Sequence, residues 1–315
     1  MNLVEEKFFK EEAEPILMKY SNEVIKNLIE NEDRLKSQIF EVLMNIADRV
    51  NQKEEYRIAY INFSLLKISM LNDKYEIIAT AYDENWYADE GIEEIFTIGY
   101  IFKNLYNIKT EIYNKSKKYV GKIRRSSINY YILRQMTVYN EYLTYFFIKF
   151  LKQWDEDTSY KEMPKNENIK ILYGEYKDYS ETVYYYEEKV KDQKEFEDKG
   201  KGSENKELVF SCWPSLKLNN IVIKEKDLTC IYLKEAELEN VMFDNCTIVG
   251  ANFKFAELKK CYFKNCDLGT SDLSESTLEE VLFEDCNLRN LICEGIKSHE
   301  VYIKDEKYTK EKIEI

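Results

Sequence analysis

Between Leu218 and Cys293 an apolar residue recurs at every fifth position, always Leu, Ile or Phe until the final Cys. A period of five fits neither the 3.6 of a helix nor the 2.0 of a strand, so neither element would bring these positions to one side. A coil of four short straight sides would, with one pentapeptide to each side and corner. Leu218 to Lys297 then holds sixteen pentapeptides in four lines of twenty, beginning at Leu218, Leu238, Leu258 and Leu278. The residue two before each inward position shares the interior and is modest in volume: Ala236, Val241, Cys246, Ala251, Cys261 and Ser271 are examples. Residues twenty apart lie one above the other. Phe243, Phe263 and Phe283 therefore form one predicted interior ladder, and Cys246, Cys266 and Cys286 another.

Upstream the periodicity changes. Val24, Leu28, Leu35, Ile39, Leu43, Ile46 and Val50 recur at three, four or seven residues, the stripe of an amphipathic helix, and Pro15 suits a first helical turn. Around 56–87, β-branched and aromatic residues concentrate in two runs separated by Leu71-Asn72-Asp73-Lys74, which predicts a β-hairpin. Helical spacing is read again over Ile92 to Ile108. It is strongest in Ile128, Ile132, Met136, Tyr139, Leu143, Phe147, Phe150 and Trp154. Ile169 to Tyr186 reads as a strand or short helix. Between Glu187 and Glu207, fourteen of twenty-one residues are charged, the composition of a solvated linker or frayed helix. The expected organisation is a helix-rich domain with a hairpin over 1–186, a charged linker over 187–209, a coiled repeat over 210–297 and a cap or tail over 298–315. Phe210 to Pro214 is a candidate lid on the first coil.

AlaAsnPhe at 251–253, CysAspLeu at 266–268, SerAspLeu at 271–273 and CysAsnLeu at 286–288 resemble the motif of the pentapeptide-repeat family. The resemblance covers about a quarter of the chain, and residues 1–186 match no family motif. It implies a right-handed quadrilateral β-solenoid of about four coils, so that the whole is an α+β multidomain protein. At strand spacing four coils would stand roughly 19 Å tall.

Composition narrows the setting. All seven cysteines lie from Cys212 onward, which suits core filling in a reducing compartment better than a disulfide framework. The start is acidic without an apolar core, and the best apolar run, Tyr142 to Leu151, is short and contains Lys149. A cytoplasmic protein without a membrane span is the expectation. Richness in Lys, Glu, Asn, Ile and Tyr with few Gly and Pro is the bias of an AT-rich bacterial genome.

Little in the chain points to catalysis. His299 is the one histidine, so Ser–His and Cys–His mechanisms would all need that residue near the C-terminus. Neither a phosphate-binding nor a dinucleotide-binding glycine pattern occurs. Carboxylates cluster between Asp83 and Glu94 without the glycine and spacing of a calcium loop. The reading is a non-enzymatic protein with neither cofactor nor metal. The three ladder thiols would lie parallel, whereas metal ligands converge.

Two surfaces remain. In a chain of net charge −13, no Asp or Glu occurs from Ile112 to Asn140, and Lys117, Lys118, Lys122, Arg124 and Arg125 crowd there among tyrosines. This is a candidate anion or nucleic-acid contact. The overall acidity argues against nucleic acid, and pairing with the Asp83–Glu94 stretch is the preferred account. On the coil, Val222, Met242, Tyr262 and Leu282 immediately precede inward residues and should form an outward apolar column. That column suits a partner protein, a second copy or the chain's own helical domain. The residues just after the same inward positions, Lys224, Asp244, Lys264 and Glu284, alternate in sign. The family resemblance adds DNA gyrase as an alternative partner, since some members imitate duplex DNA. Such mimicry needs rows of like carboxylates and longer solenoids than four coils.

Overall fold

The computed structural model describes residues 3–201, 206–305 and 308–311, without the side chains of 87, 135–138 and 305–311. The side chain of Met136, Gly202 of the charged stretch, and residues 306, 307 and 312–315 of the tail fall outside the described residues. The chain divides into two compact units, Met1–Tyr184 and Tyr185–Ile315.

The first unit is a sheet flanked by helices. Helix α1 (Leu3–Phe8) runs through a π turn at Phe9–Ala13 into α2 (Glu14–Glu30), and α3 (Glu32–Val50) follows. Pro15 therefore sits just after a π turn inside a continuing helical segment, where the shifted hydrogen-bond pattern absorbs its missing N–H. The stripe read from the sequence is buried throughout, from Val24 to Val50. It bends at Asn31, between the two helices.

The hairpin is present as β1 (Ile58–Leu65) and β2 (Glu76–Tyr82), antiparallel with Phe63 opposite Ala79, and one helical turn, α4 (Lys67–Leu71), fills the connection. The hairpin lies inside a larger sheet. Strand β3 (Ile92–Thr97) pairs with β2, so the helix read over Ile92 to Ile108 begins only with α5 (Leu105–Ser116). Ile92, Ile95 and Phe96 satisfy helical spacing as well as strand pairing, and a run this short does not separate the two. After α6 (Arg125–Leu151) and α7 (Thr158–Glu162), strand β4 (Lys165–Glu175) pairs parallel to β1, and β5 (Ser180–Glu187) completes the order β3-β2-β1-β4-β5.

Helix α6 holds the sheet through aromatic contacts. Phe147 lies 4.9 Å from Phe63 of β1 and stacks at 4.5 Å on Tyr173 of β4. The turn between β4 and β5 depends on Gly174, where a Cβ would meet the Tyr179 carbonyl oxygen at 2.2 Å.

The second unit is a β-solenoid of about four coils. Strands β6 (Lys217–Lys224) and β7 (Glu237–Asp244) pair in parallel with Leu218 opposite Leu238 and Ile223 opposite Phe243, a register of twenty residues. The same offset carries through β8 (Glu257–Lys259), β9 (Tyr262–Lys264), β10 (Thr277–Glu279) and β11 (Leu282–Glu284) to β12 (Lys297–His299) and β13 (Tyr302–Asp305). Strand β14 (Tyr308–Glu311) then turns back antiparallel to β13.

The corners explain the period of five. Every fifth residue from Phe210 to Glu300 has φ between 50° and 71°. A left-handed corner costs an L-residue roughly 1–2 kcal/mol. Five of these corners are Asn and two are Gly, types that visit this region readily.

The polar position of the motif has its own cause. Asp227, Asn252, Asp267, Asp272 and Asn287 each accept a hydrogen bond from the backbone N–H two residues on, at 2.8–3.2 Å. These Asx turns hold the chain as it approaches the next corner.

The interior is the predicted one. Phe243 and Phe263 stack at 4.7 Å, and Phe263 and Phe283 at 4.9 Å. The register also starts earlier than the pattern suggested: Leu208 and Trp213, ten and five residues before Leu218, are both buried in the same core. Trp213 is thus a core residue of the first turn, packed against a helix within the stretch read as a solvated linker or frayed helix. That helix, α8 (Gln193–Gly200), begins with a capping box between Asp192 and Glu195 and sets Phe196 edge-on to Trp213 at 5.1 Å. Lys191 reinforces the junction, with its ammonium donating to the Cys212 carbonyl at 3.1 Å and lying 4.8 Å from the Trp213 ring.

A candidate interaction face on the solenoid

The column beside the phenylalanine ladder rises from Val222 through Met242, Tyr262 and Leu282, paired in that order from strand to strand. Each side chain alternates with an inward neighbour, which is what strand geometry requires. Val222 is 64% exposed, while Met242, Tyr262 and Leu282 are only half-buried because the rungs above and below shade them. Tyr302, 47% exposed, extends the column one rung further. Sequence reasoning stopped at Leu282, although Tyr302 lies on the same twenty-residue spacing.

The flanking charges are satisfied within the solenoid. Lys224 reaches Asp244 at 3.4 Å, Lys264 reaches Glu284 at 3.6 Å, and Lys304 closes on Glu284 at 3.0 Å. The Lys304 ammonium and then the Tyr262 hydroxyl hold the Glu284 carboxyl below its ordinary range, against a smaller opposing effect of burial. The phenol of Tyr262 is in turn pushed up to about 12, first by desolvation and then by that carboxylate. The face is therefore an apolar strip beside a column of neutralised charge.

The thiols are core groups. Cys246, Cys266 and Cys286 donate to the carbonyls of Ile223, Phe243 and Phe263, each at 3.4 Å. Successive thiols thus point along the stack in parallel. All seven cysteines are free, and no group of three or more metal-ligating side chains converges among the described residues.

The basic segment lies in the first unit, in the turn between α5 and α6. Lys117, Lys118, Lys122, Arg124 and Arg125 are all exposed. Their expected pairing with the Asp83–Glu94 stretch is not what the fold provides. Glu94 is bound by Arg49 of α3 at 2.8 Å, and Asp89 accepts from the Tyr56 hydroxyl. The carboxylates that reach the basic stretch come instead from the N-terminal helical segment: Glu12 is held by Lys115 at 3.0 Å, and Glu5 accepts from the Ser127 hydroxyl. The π turn at Phe9–Ala13 and α2 pack against α5 and supply Glu12 from more than a hundred residues away, a placement that local pattern does not reveal. Along α5, Asn107, Thr110, Glu111, Asn114, Lys115 and Lys118 line a shallow hollow of about 440 Å³. No helix among the described residues is long and apolar enough to cross a membrane.

Parallel strands in twenty-residue register, Asx-stabilised corners and an apolar ladder define a repeat solenoid. Residues 236–310 match the family described as the pentapeptide repeat region, and the C-terminal unit is a pentapeptide-repeat solenoid. Similar solved structures include a pentapeptide repeat protein, Rfr23, from the cyanobacterium Cyanothece 51142, at 21% identity over 29% of this chain and 62% of that one, with a TM-score of 0.28. HetL, a pentapeptide repeat protein involved in heterocyst differentiation regulation in the cyanobacterium Nostoc sp. strain PCC 7120, matches at 20% identity over 26% of this chain and 38% of its own, TM-score 0.25. QnrB1, a plasmid-mediated fluoroquinolone resistance protein, matches at 16% over 30% and 47%, TM-score 0.21. The chain thus spans between 38% and 62% of the length of these three proteins. No curated protein matches the chain.

Proposed function

We propose that the solenoid is a non-enzymatic protein-binding module whose partner rests on Val222, Met242, Tyr262 and Leu282. The observation that carries this reading is the unbroken apolar column, open at Val222 and continued by Tyr302. A few well-packed residues at the centre of an interface carry most of its affinity, and Tyr262 is of a type enriched among them. The adjacent Lys224, Asp244, Lys264 and Glu284 neutralise one another across the rungs, so the face offers a protein partner little charge to desolvate. The same alternation disfavours the gyrase alternative, because imitation of a nucleic-acid backbone requires uncompensated carboxylates in rows. Seven free thiols suit a cytoplasmic setting.

The test is affinity capture from bacterial lysate with the full chain and with a Met242→Lys/Tyr262→Lys variant, both checked for an unchanged solenoid by thiol protection. The reading requires a protein retained by the native chain and lost from the variant. Equal capture by both forms would refute the column as the binding surface, and a captured topoisomerase retained by the variant would favour the alternative.

A further inference from the structure

We propose that the loop Lys117–Arg125 is a docking surface for an anionic lipid membrane, with Val120 as its inserted tip. Two independent features meet there. The first is charge: Lys117, Lys118, Lys122, Arg124 and Arg125 are exposed within a stretch that holds no Asp or Glu from Ile112 to Asn140. Of the nearby carboxylates, Glu12 is held by Lys115 at 3.0 Å and Glu5 accepts from the Ser127 hydroxyl at 2.7 Å, while Glu111 shares the hollow along α5 with Lys115 and Lys118. None of the five cations belongs to an ion pair among the described residues.

The second feature is the tip itself. Val120 has φ 46° and is 86% exposed, in the left-handed region with no packing to reward it. A β-branched residue in this conformation is strained, and such strain marks functional positions. Gly121 beside it, at φ 75°, has open space around it, while buried Ile123 anchors the loop behind. An exposed apolar side chain thus stands in the chain between Lys117 and Lys118 on one side and Lys122 on the other.

The aromatic rings discriminate between lipid and nucleic acid. Single-strand binding needs free rings on which bases stack. Tyr119 is taken edge-on by Phe8 at 5.2 Å, Tyr131 stacks on Phe9 at 4.3 Å, and Tyr113 bonds to Asn129 beneath the Arg125 guanidinium. Of the segment's tyrosines Tyr130 alone keeps a largely open ring, 70% exposed, so successive bases find no row of rings to stack on, and what otherwise remains outward is cationic and aliphatic, the chemistry of an anionic headgroup layer with a shallow apolar zone below it.

The experiment is co-sedimentation of the full chain with vesicles of phosphatidylcholine alone or mixed with phosphatidylserine. Each surface cation contributes about five-fold to binding of an anionic membrane. Replacing Lys117, Lys118 and Lys122 by Gln should then lower partitioning on the order of 100-fold at low salt. Val120→Gly, which suits the backbone conformation and leaves the charge intact, should weaken partitioning several-fold without altering circular dichroism. Salt should release the native chain from anionic vesicles. Equal sedimentation with neutral and anionic vesicles, or no sedimentation with either, would overturn the proposal. So would binding of a single-stranded oligonucleotide that depends on the same lysines and exceeds the vesicle affinity.

Discussion

The phenylalanine ladder makes a quantitative demand on its middle rung. Phe263 stacks on both Phe243 and Phe283, whereas the two outer rings have isoleucines, Ile223 and Ile303, as their further neighbours. Substituting leucine keeps an apolar side chain in each position and removes the ring contacts. An aromatic pair contributes about 0.5–1.5 kcal/mol beyond area burial. Phe263→Leu forfeits two pairs and Phe283→Leu one, so the middle substitution should destabilise the solenoid by about 1 kcal/mol more than the end one. Because all seven cysteines lie from Cys212 to Cys293, thiol labelling in urea reports opening of this unit alone. With a slope of about 2 kcal/mol per molar, the two midpoints should differ by about 0.5 M. Equal midpoints for the two variants would show that stacking adds nothing to burial and would refute the reasoning.

Asp267→Ala removes an acceptor that serves both the Gly269 N–H and the Asn287 side chain, each at 2.9 Å, and should cost about 1–2 kcal/mol in the same labelling assay. Val120→Gly should stabilise the first unit by about 1 kcal/mol, seen as a higher urea midpoint in helix circular dichroism, since α1 to α7 all lie in that unit. For Glu284 the folded carboxyl titrates below its unfolded value of 4.5, so its contribution is present above that pH and fades as pH falls through the folded value. The carboxyl-carbon NMR midpoint should therefore lie below 4.5 in the native chain and rise in Lys304→Met; an unmoved midpoint would remove Lys304 as the cause.

How far the chain was readable depends on how local each constraint is. The solenoid repeats one local rule, an inward residue followed two positions later by a left-handed corner, and each pentapeptide restates it. The start of the register was also written in the sequence, since Leu208 and Trp213 lie on the same spacing, but Lys206 and Glu207 beside Leu208 and the reading of Phe210–Pro214 as a lid obscured it. Likewise Asp192-Gln193-Lys194-Glu195 is a helix-start signature that composition alone concealed. The five-stranded sheet is another matter. Its central contact joins Phe63 to Tyr173 in parallel, and neither strand's pattern specifies so distant a partner. Strand β3 was hidden differently, by apolar spacing that serves both periods. For the candidate face, the column was legible from register, and its half-burial was not, because shading by adjacent rungs depends on the actual size of neighbouring side chains.

The twenty-residue register also constrains how such a protein can change length. Phe243 sits over Ile223 and under Phe263 only if every intervening corner keeps its count. Adding one residue within a coil would carry all later inward side chains out of their columns and strand the Asx acceptors away from their N–H donors. Neutral drift in length is therefore open to this unit mainly in whole coils, or in bulges that leave the corner spacing intact. A tower of this kind lengthens by duplication of twenty-residue blocks, and each added block brings one new rung to the apolar column, so the reach of the binding face is inherited in discrete steps.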